Sequence, residues 1–183
     1  MPKNEKPKDE NTRLGFLGIE MFDNGTTIRG AILITDIDTK PYEFRITSPV
    51  RATYFQRALY GNTLEDYMHI ELISIPLIRE LREEVDLIII SSPPLLRIRP
   101  KISIPVALIS GDAKPVSENP DDLSSNNGKL IAITTHDEFP TENPVAKSLL
   151  IPIMQKRNLL EPFERIKIAL TEAHKQKVGE STK

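Results

Sequence analysis

The chain has 183 residues, of which 24 are basic and 26 acidic, and it contains no cysteine. This length suits one domain of ordinary size, and the missing cysteine excludes a disulfide scaffold, a thiolate metal site and a cysteine nucleophile. The formal net charge of −2 provides no overall attraction to nucleic acid or anionic lipid. No apolar run approaches the ~18 residues that span a bilayer, so we expect a cytoplasmic protein that does not enter a membrane.

Both ends of the chain and one internal stretch are expected to lie outside the folded core. Residues 1–12 and 175–183 are rich in charge and offer few apolar side chains to bury, so burial cannot offset the entropy of ordering them. Residues 112–128 form a long polar stretch without hydrophobic periodicity, which leaves a disordered insertion and a binding loop as alternatives. The sequence thus predicts a single α/β domain over residues 13–174.

The first part of this domain is predicted to form a three-stranded antiparallel meander. Residues 14–22 and 27–35 are apolar, and the Asp23-Asn24-Gly25 sequence between them favours a hairpin turn. Residues 42–47 alternate between apolar and polar side chains. This alternation indicates a strand with one buried and one solvated face.

Two helices are predicted after the meander. The first would begin at Ser48-Pro49, because proline at the first helical position loses no hydrogen bond, and it would end at Gly61. Its apolar stripe would consist of Tyr54, Phe55, Ala58 and Leu59. The second would begin with the capping-box pattern Thr63-x-x-Asp66, and Pro76 should kink or break it.

The second half is predicted to contain three buried strands and two closing helices. Residues 86–91, 104–110 and 129–135 are short apolar runs of the kind found in strands covered on both faces. The closing helices are expected from about residue 143 to 156 and from Glu161 onward. Their dense apolar stretch either completes the core, which is favoured, or faces a partner. Together these elements predict an α+β fold with a mixed sheet.

This order of elements resembles the ribonuclease-H-like arrangement over roughly residues 14 to 110. The resemblance implies carboxylates on the first strand, on the following helix and on the fourth strand, which hold two metal ions in active members. Acidic side chains at the first two places are Glu20 on the strand and Glu65, Asp66 and Glu71 in the helical region. The fourth strand ends instead in Ser91-Ser92. Under this interpretation Glu20 and Glu71 are the predicted metal ligands.

A second candidate site lies just past the three buried strands. Ser92 follows the first of them, Asp112 the second and His136 the third. If the strands are parallel, their carboxyl ends meet at the edge where open α/β sheets usually bind ligands. A serine nucleophile, an orienting acid and a histidine base would then be close together, although the Gly-x-Ser-x-Gly elbow is missing.

A third candidate is an anion or nucleic-acid site formed by Arg45, Arg51 and Arg57. These arginines lie near aromatic residues in the sequence. Guanidinium groups can clamp a phosphate while neighbouring rings stack on bases.

The absence of a complete catalytic motif favours a non-catalytic binding or regulatory module, acting as a subunit of a larger intracellular assembly. Under this hypothesis the partner is another protein or a second copy of the chain, and no cofactor is needed. Two alternatives remain open. One is a hydrolase of the metal-dependent nuclease or phosphoesterase type, which would need a divalent metal. The other is a small nucleic-acid-binding protein.

Overall fold

The computed structural model describes residues 11–111, 123–126 and 129–180. Its centre is a seven-stranded sheet with helices on both faces. The strands are β1 (Leu14–Phe22), β2 (Thr27–Thr35), β3 (Pro41–Ile46), β4 (Leu87–Ile90), β5 (Val106–Ser110), β6 (Leu123–Asn126) and β7 (Lys129–Thr135). Their order in the sheet is β3-β2-β1-β4-β5-β7-β6.

The helical elements differ in length and type. They are α1 (Tyr54–Tyr60), α2 (Leu64–Tyr67), a π-helical segment (Met68–Ser74), α3 (Ile75–Arg79), a 3₁₀ segment (Pro93–Lys101), α4 (Glu142–Met154) and α5 (Glu161–Lys175). None of the helices in these described ranges is long and apolar enough to cross a membrane.

The amino-terminal meander has the predicted form. β1 pairs antiparallel with β2 along its whole length, and β2 pairs antiparallel with β3. The turn between β1 and β2 places Asp23, Asn24 and Gly25 at φ angles of 52°, 55° and 82°. Such left-handed backbone is least costly for glycine and asparagine, which explains why this sequence marks the hairpin.

Helix α1 begins later than predicted, and its apolar side chains face away from the core. Val50 extends the sheet instead of starting a helix, because its backbone exchanges two hydrogen bonds with Ile28 at 2.8 and 2.9 Å. The helix is capped by Thr53, whose hydroxyl accepts from the backbone N–H of Gln56. Tyr54 and Phe55 are 88% and 71% exposed. The predicted apolar stripe of this helix is therefore wrong.

The helix predicted to kink or break at Pro76 changes its type there, from a π-helical segment to an α-helix. The π-helical segment immediately precedes α3, which begins with Pro76 near its first position. In this segment the hydroxyl of Ser74 donates to the carbonyl of His69 at 2.7 Å. The predicted capping box at Thr63 does not form, since the Thr63 hydroxyl donates to the carbonyl of Tyr60 at 2.8 Å.

The sheet separates two apolar cores. One core lies beneath α4 and α5, and the other lies beneath the helical residues 64–79 and the 3₁₀ segment. Leu150, Met154 and Leu159 from the closing stretch are at most 1% exposed in the first core. These apolar residues thus complete the core, as favoured from the sequence.

The three buried strands do not share one direction. β4 runs parallel to β1 and to β5, whereas β7 runs antiparallel to β5. The carboxyl end of β7 therefore lies at the opposite edge of the sheet from the carboxyl ends of β4 and β5. The parallel arrangement that the Ser-Asp-His hypothesis required is absent.

The segments expected outside the core are described only in part. Residues 1–10, most of the 112–128 stretch and residues 181–183 lie outside the described residues, while residues 123–126 of that stretch form β6. Residues 176–179 form turns after α5, and residue 180 follows them. Their backbone contacts the sheet, because the carbonyl of Val178 accepts from the Arg29 guanidinium at 2.8 Å.

Candidate functional site

A notch opens in the sheet where β4 stops and β1 continues. β4 pairs with β1 only over Leu14–Leu17, although β1 extends to Phe22. Residues 18–22 of β1 thus have β2 on one side and no paired strand on the side of β4. Because β1 and β4 are parallel, the notch lies at the carboxyl ends of both strands, where open α/β sheets usually bind ligands.

The notch contains a cavity of about 380 Å³. Its polar lining consists of Glu20, Glu65, His69, Ser91 and Ser92. These residues come from β1, from the helical residues that follow the meander and from the residues that directly follow β4. The fold thus brings together two carboxylates, an imidazole and two hydroxyl groups that are distant in sequence.

Glycine at position 18 allows the wall of this cavity to form. Side chains alternate along β1, so Gly18 and Glu20 share the face on which Phe16 packs against α5. A Cβ atom at Gly18 would lie 2.8 Å from Cγ2 of Ile166 on α5. The missing side chain therefore lets α5 approach β1 and close one side of the notch.

His69 is the most perturbed ionisable group of the cavity. It belongs to the π-helical segment, and its Nε2 atom is buried without a hydrogen-bond partner among the described residues. Burial lowers the pKa of His69, and the carboxylates of Glu65 and Asp66 oppose this effect only in part. The imidazole is consequently neutral at neutral pH, a form that can accept a proton.

The structure does not bring Glu20 and Glu71 together. Glu71 is not among the residues that line the notch, and its carboxylate pairs with the ammonium group of Lys101 at 2.7 Å. Across the described part of the chain, no three or more histidine, aspartate or glutamate side chains are placed to hold a metal ion. The residues of the notch do not fit the two-metal site that the ribonuclease-H-like resemblance implied.

The Ser-Asp-His set is also separated. Ser92 lines the notch, but His136 follows β7 at the opposite edge of the sheet. The Nδ1 atom of His136 accepts from the backbone N–H of Glu138 at 3.2 Å. Asp112 lies outside the described residues. Ser92 and His136 cannot form a nucleophile and base pair in this arrangement.

The three arginines do not form one patch. Arg45 pairs with Glu43 at 2.6 Å on β3. Arg51 donates to the hydroxyl of Thr27 at 2.9 Å, and Arg57 lines a separate cavity of about 370 Å³ beside α1. A shared anion site formed by Arg45, Arg51 and Arg57 thus remains a prediction that this geometry does not favour.

Glu65 was named from the sequence only as one of several acidic side chains in the helical region, and His69 was not predicted as a site residue. Their spacing of four residues in a helical region was the available signal, because residues four apart share a helix face. This signal was missed because the neighbouring residues Met68 and Ile70 are apolar and indicated a core position, and both are indeed buried. Only the position of β4 reveals that this face borders an open notch.

Comparison with solved structures identifies proteins of the same fold. No protein-family model and no curated protein matches the sequence. The catalytic domain of human Endonuclease V has a TM-score of 0.64 at 10% identity, covering 92% of this chain and 84% of that chain. Endonuclease V from Streptomyces avermitilis has a TM-score of 0.62 at 13% identity, covering 93% and 84%. Endonuclease V from Bacillus subtilis has a TM-score of 0.54 at 14% identity, covering 91% and 82%.

These similarities confirm the predicted α+β fold of ribonuclease-H-like topology. They also correct the predicted function. The interpretation as a non-catalytic regulatory subunit is wrong, because the solved structures that share the fold over nearly the whole chain are nucleases. The apolar stretch that motivated a protein partner lies in the core. The nuclease alternative is better supported.

Proposed function

We propose that this protein acts on nucleic acid as a phosphodiester hydrolase of the nuclease type, with the notch as its active site. The observation that carries the proposal is that Glu20, Glu65 and His69 line one cavity at the carboxyl ends of β1 and β4. This edge is where α/β sheets usually bind ligands, and the fold is shared with endonucleases. A cytoplasmic location belongs to the same proposal.

The side chains of the notch can supply the proton transfers that hydrolysis needs. A water molecule must lose a proton as it attacks phosphorus, and the leaving oxygen must gain one. The neutral imidazole of His69 and the carboxylate of Glu20 are the groups that can accept the proton of this water, and the group that accepts it can then return it to the leaving oxygen. The hydroxyl groups of Ser91 and Ser92 can donate hydrogen bonds to phosphate oxygens.

The experiment that tests this proposal is a cleavage assay on labelled oligonucleotides. Single- and double-stranded DNA and RNA are incubated with the full chain, with EDTA and separately with Mg²⁺ or Mn²⁺. We expect cleavage that falls by about 10²-fold or more in Glu20→Gln and in His69→Gln, which is the range for loss of a general base.

Glu84→Gln provides a matched control. Glu84 is an exposed glutamate that lines a different cavity, beside the residues that lead into β4, so its loss should leave the rate unchanged. Absence of cleavage of every substrate, or full cleavage by Glu20→Gln, would contradict the proposal.

A further inference from the structure

Arg29 is a fully buried cation in an otherwise uncharged strand. All nine residues of β2 are buried, and the Arg29 side chain is 0% exposed. It pairs across the sheet with Glu20 of β1. Because paired residues of antiparallel strands present their side chains on the same face, Arg29 lies one strand away from the notch.

The guanidinium of Arg29 is only partly satisfied. Its Nη1 atom donates to the carbonyl of Val178 at 2.8 Å and to the carbonyl of Thr47 at 3.4 Å. Its Nε and Nη2 atoms are buried and find no acceptor among the described residues. Burial lowers the pKa of Arg29. Buried donors without acceptors are costly, so this guanidinium is poised to receive an anion.

A second arginine converges on the same place. Oε1 of Glu180 lies 3.4 Å from Nη2 of Arg51 and 3.9 Å from Nη2 of Arg29. Arg51 is held by the hydroxyl of Thr27, and the carboxylate of Asp23 lies 3.7 Å from it. One carboxylate of the chain itself thus sits between two guanidinium groups, without forming a close bond to the buried one.

Glu180 lies in a segment after α5 that contains no helix or strand. Residues 176–179 form turns beyond the end of α5, and Glu180 follows them. Lys177 and Gly179 have φ angles of 53° and 73°. A Cβ atom at Gly179 would lie 2.7 Å from the hydroxyl oxygen of Ser48, so the segment depends on a glycine to rest against the sheet. Such a segment can separate from the sheet without unfolding a helix or strand.

We propose that Arg29 and Arg51 form a binding site for a phosphate group, which Glu180 occupies as an internal substitute. Phosphate and carboxylate oxygens accept from the same guanidinium donors. A phosphate offers more acceptor oxygens than a carboxylate, so it can bridge the two guanidinium groups where Oε1 of Glu180 stays 3.9 Å from the buried one. This site is separate from the notch and does not depend on hydrolysis there.

The test measures phosphate binding when the internal carboxylate is removed. The Tm of the full-length chain is compared in sodium phosphate and in sodium chloride of equal ionic strength for wild type, Glu180→Gln and the control Glu172→Gln. Glu172 is an exposed glutamate on α5 that pairs with Lys175 at 2.9 Å. We expect phosphate to raise the Tm of Glu180→Gln by about 3 °C more than that of the other two.

A second variant tests whether the phosphate-dependent rise in Tm depends on the arginines. In the Glu180→Gln background, Arg51→Met should abolish the phosphate-dependent rise in Tm. An equal response of Glu180→Gln and Glu172→Gln, or a rise that survives Arg51→Met, would overturn the proposal.

A further measurement distinguishes the two sources of a phosphate group. A labelled oligonucleotide that binds Glu180→Gln more tightly than wild type would identify the nucleic-acid backbone as the source. A response to inorganic phosphate without this gain would identify a small free phosphate. Both results support the arginine site, whereas a failure of the cleavage assay leaves it untouched.

Discussion

Gly30 shows how a single missing side chain sets the distance between the sheet and its helical cover. It lies in β2, and a Cβ atom there would collide with Cγ2 of Ile73 in the π-helical segment. Gly15 on β1 is less crowded, since a Cβ atom there would lie 3.2 Å from the terminal methyl groups of Ile34 and Val85. The residues around Gly30 are therefore packed more tightly than those around Gly15.

We predict that Gly30→Ala destabilises the protein by about 1–3 kcal/mol, the usual cost of an added group in a filled core. Gly15→Ala should cost less, because side-chain ends can move aside. The free energy of unfolding from urea titration measures both. Equal effects of the two substitutions would show that the π-helical segment moves away from the sheet at no cost.

His69 should make stability depend on pH between about 7 and 5. Its folded pKa lies below the unfolded value of about 6.5, so the unfolded chain binds the proton more readily. The contribution of His69 to the free energy of unfolding is therefore fully present above pH 6.5, and it is lost as the pH falls toward the folded pKa. We expect His69→Gln to weaken this decline in urea titrations at pH 7, 6 and 5. An unchanged pH dependence would show that His69 is solvated in the folded protein.

Among the elements, α1 is the one whose sequence signals conflict most with its environment. Its aromatic side chains suggest burial, yet Tyr54, Phe55 and Leu59 are exposed. Its start is determined by the reciprocal bonds between Thr53 and Gln56. A helix with so little packing relies on its cap more than a core helix does.

We predict that Thr53→Ala destabilises α1 by about 1 kcal/mol, which is typical for loss of an N-cap. Thr171→Ala is the control, because the Thr171 hydroxyl donates to the carbonyl of Lys167 within α5 and makes no contact with α1. Amide hydrogen exchange within residues 54–60 should accelerate about fivefold in the first variant. It should change little in the second. Comparable exchange in both variants would contradict the assigned cap.

At the scale of the whole molecule, a largely buried ion pair joins elements that are far apart in the chain. Arg99 of the 3₁₀ segment donates to the carboxylate of Glu142 on α4 at 2.6 to 3.0 Å, with both side chains at most 16% exposed. The guanidinium also lies 3.8 Å from the ring centroid of Phe139. This contact holds the segment after β4 against the helix after β7.

We predict that Arg99→Met destabilises the protein by about 3 kcal/mol, because it leaves the Glu142 carboxylate without its partner. The double variant with Glu142→Gln should be less destabilised than the sum of the single variants, with a coupling energy of about 1 kcal/mol or more. Urea titration of the four proteins measures this cycle. Additive effects would mean that water replaces the guanidinium.

The parts of the fold that were predictable depend on local patterns. The meander follows from the alternation of apolar and polar side chains and from the Asp23-Asn24-Gly25 turn, and each of these patterns spans only a few residues. The direction of β7 could not be predicted, because it depends on which strand β7 pairs with and not on its own apolar run. This direction separates Ser92 from His136.

The candidate site was predictable only in part for the same reason. Glu20 was recognised through the ribonuclease-H-like resemblance, and Ser92 because it follows a buried strand at an edge where ligands bind. Glu65 and His69 join them through the stopping point of β4. Arg29 was not singled out from the sequence, although it is the one charge in β2, and its contacts involve residues 178–180 at the other end of the chain.

The position of β1 has a consequence for synthesis on the ribosome. β1 is first along the chain yet lies third in the sheet, and its second neighbour, β4, begins only at Leu87. The β1–β2 hairpin can form as soon as it emerges, but its other edge stays open until about fifty further residues are translated, since β2 ends at Thr35. At bacterial or eukaryotic translation rates of about 5–20 residues per second, this interval lasts several seconds. During that time the nascent hairpin exposes an unpaired, apolar strand edge of the kind that chaperones protect.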